Sequence, residues 1–295
     1  MRFAIMPLQW WATEDGWLDF GSGPALPELA REVATTGFTA ISAGITPDLD
    51  VEAYRAALTA AGLAWAPGYF SGPLADPSAR PEFVARAEGM ARAHAALGLT
   101  ELYVATNMVP TAARVQRPSE GVEADEKRLH TIAESLRLVC EVVNKHGVTP
   151  CLHQHVGTWI EKEHEFEFML DAIDAEELAL GPDTGHMAWA EIDPVAFIAR
   201  HADRVRTVHV KDVRLDVAAK GRVEGLSYKE VVKAGLWAEP GRGDLDLASA
   251  LAPLTSKDIW AIIEVDRPDL PTPVESARAC AEWVRKAETW RTVAV

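Results

Sequence analysis

Strand-like and helix-like segments alternate along the whole chain, and this alternation is the feature that most restricts its fold. Short runs rich in β-branched and aromatic residues predict eight strands, near residues 2–8, 38–45, 63–70, 100–107, 148–155, 178–184, 205–213 and 259–265. Segments with helical spacing lie between them, at 26–36, 51–61, 81–97, 124–146, 163–173, 194–202, 227–254 and 273–290. Eight strands that are each followed by a helical segment predict an α/β fold, a (β/α)8 barrel.

Acidic residues and glycines mark where the predicted helices begin and end. The clearest segment, EADEKRLHTIAESLRLVCEVVNKHG, begins with acidic residues, keeps apolar residues at helical spacing and ends at Gly147. A doubly wound sheet is the competing fold, but no glycine-rich phosphate-binding turn follows the first predicted strand. No linker, repeat or low-complexity segment divides the chain, so we expect one barrel domain over residues 1–295. The long connection at 214–244 is predicted to be either a lid over the site or an additional helix.

Charge, cysteine content and hydropathy exclude several classes of function. The formal net charge of −15 argues against a nucleic-acid-binding protein, which needs a basic face for the phosphate backbone. Three scattered cysteines do not form a disulfide pattern, and the N-terminus has no signal-type cleavage site. No apolar run approaches the length of a membrane span. We therefore predict a cytoplasmic protein that binds neither nucleic acid nor a membrane.

The stretch CLHQHVGTWIE, residues 151–161, places two histidines one residue apart directly after an apolar run. If they continue a strand, His153 and His155 face the same side, and Glu161 follows closely. A buried face rarely holds two imidazole rings without a partner. A bound metal ion is one such partner.

Three further potential metal ligands stand at the ends of predicted strands, Asp183 on the sixth, His209 on the seventh and Glu264 on the eighth. The C-terminal ends of barrel strands meet at one face, so these side chains and the fifth-strand histidines should converge on a site for a divalent cation such as Mn²⁺, Co²⁺ or Zn²⁺. Taken singly, each has a structural alternative: Asp183 could cap a helix and His209 could be a core histidine. Their placement on consecutive strands favours the shared site.

Four segments resemble the xylose-isomerase-like sugar isomerases, epimerases and dehydratases: PDTGHMAWAEIDP, DRVRTVHVKDV, EPGRGDLDL and WAIIEVD. The resemblance extends over the chain and is most specific between residues 148 and 266. Within this family, HQHVGT and GLSYKEVVKAGLWAEPGRGDLDL are most similar to the inosose dehydratases. The resemblance independently implies a barrel.

The resemblance also implies one divalent metal ion, Mn²⁺ or Co²⁺, with Zn²⁺ and Mg²⁺ as alternatives. Asp183, His209 and Glu264 match the family's ligand positions. The fifth-strand position is a glutamate in the isomerases and His153 here, and the dehydratases also have a histidine cluster there. The fourth ligand is therefore either His153 or Glu161.

Three other residues are candidates for catalysis. His155 is expected to act as acid or base, because a compact site has little need of both neighbouring histidines as ligands. Lys211 follows the seventh-strand histidine at strand spacing and could stabilise an enolate, or else form an ion pair. His186 follows the sixth-strand aspartate, where related isomerases contact substrate, or else begins a helix. Two departures from the dehydratases leave the substrate open. Val265-Asp266-Arg267 follows the last-strand glutamate, where the dehydratases have a further acid and a glutamine, and Arg242 stands where an acid is more usual.

These residues and the resemblance imply a metal-dependent lyase that removes water from a polyhydroxylated cyclic ketone through an enediolate. A ketose isomerase or epimerase, or an enzyme of 3-keto-glycoside β-elimination, would use the same chemistry and is the alternative. Apurinic-site endonucleases share the fold but bind DNA, and a non-catalytic binding protein would not need the ligand set. The expected partner is a small keto-sugar or keto-cyclitol, and a homo-oligomer is left open.

Overall fold

Parallel strands form a barrel in the computed structural model, which describes residues 1–289. The barrel strands are β1 (Arg2–Met6), β2 (Ala40–Ile41), β3 (Ala64–Trp65), β4 (Tyr69–Gly72), β5 (Glu101–Thr106), β6 (Thr149–Leu152), β7 (Ala179–Leu180), β8 (Thr207–Val210) and β11 (Trp260–Glu264). Two short strands outside the barrel, β9 (Asp212–Val213) and β10 (Trp237–Ala238), pair in antiparallel fashion. The predicted (β/α)8 barrel is confirmed.

Two arcs of strands make up the ring, in the orders β3-β2-β1-β11-β8 and β4-β5-β6-β7. Parallel bridges from Leu180 to Val205 and from Asp183 to His209 join β7 to β8. At the opposite junction, β3 and β4 are successive pieces of the third barrel strand, which the sequence predicted as one run. Pro67 lies between them and has no N–H to donate to a neighbouring strand.

A buried histidine side chain accepts a backbone hydrogen bond at the break in the third strand. The backbone N–H of Gly68 donates to Nε2 of His94 over 2.9 Å, and Nδ1 of His94 donates to the carbonyl of Met90 over 2.7 Å. Both ring nitrogens therefore have a partner when the ring is neutral. Burial lowers the pKa of His94 to about 4, which keeps the ring in that neutral form.

The helices surround the barrel and mostly follow the predicted positions. They are α1 (Leu26–Ala34), α2 (Val51–Ala60), α3 (Arg80–Leu97), α4 (Ala113–Gln116), α5 (Glu126–Asn144), α6 (Glu163–Ala172), α7 (Thr184–Trp189), α8 (Pro194–His201), α9 (Leu215–Glu224), α10 (Tyr228–Lys233), α11 (Leu247–Leu251) and α12 (Pro273–Thr289). The short α4 and α7 were not among the predicted segments. Helix α9 lies in the 214–244 connection, for which an additional helix was one of the two alternatives. Residue 290 of the predicted last helix lies outside the described residues. Among the helices of residues 1–289, none is both long and apolar enough to cross a membrane.

The long connection at 214–244 contains α9, α10 and β10. The single predicted helical region at 227–254 is therefore wrong in detail, because it is divided into α10, β10 and α11. Gly235 stands at the first division with φ of +94°, a left-handed conformation that ends α10. Tyr228 and Val232 of α10 line the cavity described below, and the opening of this segment as a lid stays a prediction.

Candidate active site

Three predicted ligands meet at the C-terminal end of the barrel. His153 follows β6, Asp183 follows β7, and His209 is the third residue of β8. One ligand atom from each of the three lies within 4.8 Å of the others, and all three side chains are buried. Adjacent parallel strands thus bring together residues that are far apart in the sequence.

Several polar atoms of this group lack a hydrogen bond. Asp183 Oδ2 and both ring nitrogens of His209 have no hydrogen-bond partner within residues 1–289. The other oxygen of Asp183, Oδ1, accepts the N–H of His186 over 2.8 Å and caps α7. Buried polar atoms without a partner are costly, and carboxylate oxygen and imidazole nitrogen are ligands that divalent cations accept. The group therefore fits a bound metal ion.

The orientation of His153 agrees with this interpretation. Its Nδ1 lies 3.1 Å from the carbonyl oxygen of Gly181, which can only accept, so Nδ1 carries the proton. The lone pair of the neutral ring is then on Nε2. A backbone carbonyl that fixes the tautomer of a histidine in this way is typical of metal-binding histidines.

Glu264, the last residue of β11, lies beside this group. Its Oε2 is 2.8 Å from Nδ1 of His209, although the two are not aligned for a hydrogen bond, and its Oε1 is 2.5 Å from Nζ of Lys211. Burial alone would raise the pKa of the Glu264 carboxyl, but the Lys211 ammonium and then the His209 ring lower that pKa well below its usual range. The carboxylate is therefore charged and available to a cation.

Glu161, the other candidate for the fourth ligand, is placed elsewhere. Its Oε2 accepts the N–H of Gly157 over 2.7 Å, and its Oε1 accepts the N–H of Gly121 over 2.9 Å. Within the described residues it belongs to neither of the groups that could hold a metal ion. Burial raises the pKa of the Glu161 carboxyl. The structure therefore brings His153, and not Glu161, to the other candidate ligands.

A second group, made of His155, His186 and Asp266, has ligand atoms within 4.8 Å of one another. The buried ammonium of Lys211 reaches this group, with Nζ 3.2 Å from His186 Nε2 and 2.8 Å from Asp266 Oδ1. Burial opposes this charge, but Asp183, Asp266 and Glu264 raise the pKa of Lys211 well above its ordinary value. His186 and Asp266 thus already have Lys211 as a hydrogen-bond partner, whereas Asp183 Oδ2 and the ring nitrogens of His209 have none within residues 1–289, so the first group is the better candidate for a cation site.

His155 and His186 are held in contact, with ring centroids 3.7 Å apart. His155 Nδ1 donates to the carbonyl of Val156 over 2.7 Å, which leaves Nε2 without a proton. Burial lowers the pKa of His155 to about 4 and that of His186 well below its usual range. Both rings are therefore neutral. His186 and Lys211 are fully buried, whereas His155 lines the cavity.

A cavity of about 760 Å³ opens above these groups. His153, His155, Glu264 and Asp266 form what we call its floor. Trp11, Trp17 and Phe20, from the loop between β1 and α1 (residues 7–25), line it as well, together with Tyr69 and Tyr228. We call residues 7–25 the aromatic loop.

Asp266 and Tyr228 were not predicted as site residues. Tyr228 lies with its hydroxyl oxygen 3.5 Å from Asp266 Oδ2, and burial raises the pKa of Asp266 to about 7. A signal for Asp266 was present in the sequence, because it follows Glu264 at strand spacing and shares its face. Tyr228 is on a helix outside the barrel, where no strand end indicates it.

Comparison with known proteins agrees with the barrel fold. A family model described as xylose isomerase-like TIM barrel matches residues 30–287. An inosose dehydratase of Geobacillus thermodenitrificans (strain NG80-2) is 27% identical, over 97% of this chain and 97% of its own. Two solved structures have the same fold at low identity. The IOLI protein with a bound zinc atom has a TM-score of 0.69 at 12% identity, over 99% of each chain. The 3-keto-D-glucoside 4-epimerase YcjR of E. coli has a TM-score of 0.67 at 17% identity, over 97% of this chain and 99% of that one.

Proposed function

Because the chain belongs to the xylose isomerase-like TIM barrel family, we propose that it is a metal-dependent dehydratase that removes water from a polyhydroxylated cyclic ketone. Its relatives are inosose dehydratases, epimerases and isomerases, so it is an enzyme of the dehydratase or isomerase/epimerase type. The observation that carries the proposal is the buried group of His153, Asp183 and His209, whose unpaired atoms fit a cation.

The metal ion would be held by His153, Asp183, His209 and Glu264. Manganese or cobalt suits this set of two imidazoles and two carboxylates, and zinc, which the solved IOLI relative binds, suits it also. When bound, the ion supplies Lewis acidity that polarises the ketone and makes the neighbouring C–H more acidic. The remaining steps fall to side chains of the floor.

His155 is the proposed base. Its Nε2 carries no proton and the ring lines the cavity, so it can take the proton from the carbon next to the carbonyl. The electron pair of that C–H bond then forms the enediolate. His186 supports the ring of His155 from behind and does not itself reach the cavity.

Asp266 is the proposed acid. With its pKa raised to about 7 by burial, a substantial fraction is protonated at neutral pH, and it lines the cavity. It can protonate the β-hydroxyl as the C–O bond breaks, so that water leaves and a carbon–carbon double bond forms. Lys211 is buried below the floor, so we place it as the charge that positions Asp266 and Glu264 and that favours the negative enediolate.

An epimerase or isomerase is the second candidate. It would form the same enediolate and return the proton to carbon, and a solved relative with this fold is a 3-keto-D-glucoside 4-epimerase. Dehydration is favoured because elimination needs an acid in addition to a base, and Asp266 and His155 both line the cavity. The inosose dehydratase that matches nearly the whole chain supports the same choice.

The test combines metal content with a spectroscopic assay. The purified protein should contain one divalent ion per chain and, with Mn²⁺ or Co²⁺, convert 2-keto-myo-inositol into a product that absorbs in the ultraviolet. Asp183→Asn keeps the helix-capping oxygen but should lose both the ion and the activity. Asp193→Asn is the matched control, because Asp193 caps α8 with a similar bond to Val195 N of 2.9 Å and is remote from the site.

Two results would overturn the proposal. Full metal occupancy in Asp183→Asn would reject the ligand set. Reversible interconversion of two ketoses without an ultraviolet product would assign the protein to the isomerases or epimerases instead.

A further inference from the structure

Glu161 is a fully buried carboxylate that the proposed mechanism does not use. Its Oε2 accepts the N–H of Gly157 over 2.7 Å, and its Oε1 accepts the N–H of Gly121 over 2.9 Å. Both oxygens therefore act as acceptors, as the oxygens of an ionised carboxylate do. Glu161 does not line the cavity, so any effect that it has on the reaction must pass through another residue.

The N–H group that Glu161 binds belongs to the same peptide group as the carbonyl that binds His155. The Val156 carbonyl and the Gly157 N–H are the two ends of one planar, trans peptide group. At one end, Nδ1 of His155 donates to the carbonyl over 2.7 Å, and at the other end the N–H donates to Glu161 Oε2 over 2.7 Å. A rotation of this peptide group would therefore weaken both hydrogen bonds at once.

The carboxylate also strengthens the hydrogen bond at the far end of the peptide group. A hydrogen bond to an ionised acceptor is roughly twice as strong as one between neutral groups, and hydrogen bonds in a chain polarise one another. Polarisation by Glu161 makes the Val156 carbonyl oxygen a better acceptor for Nδ1 of His155. With the proton held on Nδ1, the lone pair of the neutral ring is on Nε2.

The turn after His155 depends on a glycine and a threonine. Gly157 has φ of +87°, a left-handed conformation that favours glycine, and a Cβ atom there would come within 3.0 Å of the Met108 sulfur. The backbone N–H and the hydroxyl of Thr158 both donate to the His155 carbonyl, over 3.2 and 2.8 Å. Thr158 thus closes the turn from within, and Glu161 holds its peptide group from outside.

A buried ion pair fixes Glu161 in turn. The backbone N–H of Glu161 donates to Glu165 Oε2 over 2.9 Å, and the two oxygens of Glu165 lie 2.7 and 2.5 Å from Nη1 and Nη2 of Arg114. Nη1 of Arg114 also donates to the Thr158 carbonyl over 3.1 Å. A bidentate pair of this kind is geometrically specific. The backbone of Glu161 is therefore held at the place from which its side chain reaches Gly157.

We propose that Glu161 is a positioning residue for His155, which it holds through the Val156–Gly157 peptide group with the ring proton on Nδ1. This inference rests on the proposed function, in which Nε2 of His155 is the base. A ring with its proton on Nε2 has no lone pair there and cannot take a proton from carbon. Glu161 thus has the role of a carboxylate that orients a catalytic histidine, with the effect transmitted through a peptide group.

Nitrogen NMR of the His155 ring tests this inference without turnover. In ¹⁵N-histidine-labelled protein loaded with diamagnetic Zn²⁺, the His155 signals, assigned by their loss in His155→Gln, should show the form protonated on Nδ1. Glu161→Met removes both acceptor oxygens, so a mixture of the two neutral tautomers should appear. Glu161→Gln keeps one oxygen and should show a smaller change.

Turnover of 2-keto-myo-inositol gives a second readout. The kcat of Glu161→Met should fall roughly 10–100-fold, as for other groups that orient a functional histidine. KM and metal content should stay close to the wild-type values, because Glu161 neither lines the cavity nor belongs to the metal-binding group. Glu161→Gln, the conservative variant, should recover part of the lost kcat.

Glu239→Met is the matched control. Glu239 is also a fully buried glutamate that accepts two backbone N–H groups, those of Asp269 and Leu270 over 3.2 and 3.3 Å, and it does not line the cavity. Its replacement should destabilise the protein to a similar extent but leave kcat and the His155 tautomer unchanged. If Glu161→Met does not fold, Glu161→Gln and Glu239→Gln make the same comparison.

The two readouts separate this inference from the proposed function. An unchanged His155 tautomer in the Glu161 variants, or an equal loss of kcat in the Glu161 and Glu239 variants, would overturn the positioning role and leave the proposed function standing. A tautomer that depends on Glu161, in a protein that turns over no cyclic ketone, would reject the proposed function and support the positioning of the ring.

Discussion

Replacing Lys211 by methionine should destabilise the protein far more than removal of an ordinary lysine. The Lys211 side chain is fully buried, and its Nζ lies 2.5 Å from Glu264 Oε1, 2.8 Å from Asp266 Oδ1 and 3.6 Å from Asp183 Oδ2. Methionine has a similar length and no charge. The Lys211→Met protein therefore keeps the packing and leaves three buried acids without their ammonium group.

The size of the effect follows from the loss of one partner of a buried ion pair, which costs about 3–5 kcal/mol. For a chain of this length each kcal/mol corresponds to roughly 2 °C, so the melting temperature should fall by about 6–10 °C. The folded-state pKa of Lys211 is raised above 10.5, so the ammonium form is fully present at neutral pH and its contribution to stability is lost only as the pH rises above that value. A bound divalent cation replaces part of the missing charge, so the loss should be larger for the metal-free protein.

Calorimetric melting of EDTA-treated and Mn²⁺-loaded samples at pH 7.5 would measure both effects. Lys220→Met is the matched control, since Lys220 Nζ lies 3.8 Å from Glu224 on the surface and its side chain is 69% exposed. The Lys220→Met change should lower the free energy of unfolding by less than about 1 kcal/mol. If Lys211→Met melts within about 2 °C of the Lys220→Met control, in both metal states, the assignment of Lys211 as the charge that holds the floor together is refuted.

Three further predictions concern the histidines and Glu161. His153→Ala should lose the metal ion, whereas His155→Ala should keep the ion and lose turnover. Elemental analysis measures the ion and the ultraviolet assay measures turnover. Retention of the ion by both variants would contradict the assignment of His153 as a ligand. Glu161→Gln should keep the ion, but its free energy of unfolding should fall by about 1–2 kcal/mol, because an amide has one oxygen for two backbone N–H groups. Loss of the ion in this variant would instead identify Glu161 as a ligand. The depressed pKa of His94, about 4 when folded, means that the unfolded chain binds a proton more readily below pH 6.5, so stability falls from pH 6.5 towards 4. This residue alone should cost about 2 kcal/mol at pH 5 relative to pH 7.5, and His94→Gln should remove that part of the slope in urea unfolding; an unchanged slope would show that His94 is not the group responsible.

Strand-end residues could be placed from the sequence because the C-terminal ends of parallel barrel strands lie at one face of the barrel. Once the parallel strands were identified, Asp183, His209 and Glu264 had to point to the same face, whatever the details of packing. Glu161 could not be placed in this way. It stands in a loop, and its position depends on Gly121, forty residues earlier in the chain.

Helix α9 shows why the 214–244 connection was harder to predict. Its middle contains Gly221, a residue that weakens a helix by about 1 kcal/mol, so the local sequence left the choice between a lid and an additional helix open. In the folded chain a Cβ at Gly221 would come within 2.5 Å of Val231 on α10. The glycine is thus explained by the close approach of two helices, which is a tertiary contact that the local sequence does not contain.

The aromatic loop is one contiguous stretch of chain, while the floor is assembled from strand ends that are far apart in the sequence. The loop touches α10, where Asp15 lies 3.6 Å from Lys229, and it contributes none of the proposed metal ligands. Substitutions or insertions within residues 7–25 can therefore accumulate during evolution with little effect on the residues that are proposed to perform the chemistry. A lineage of such enzymes can diversify in the compounds it accepts through local changes to one segment, while selection holds the floor constant.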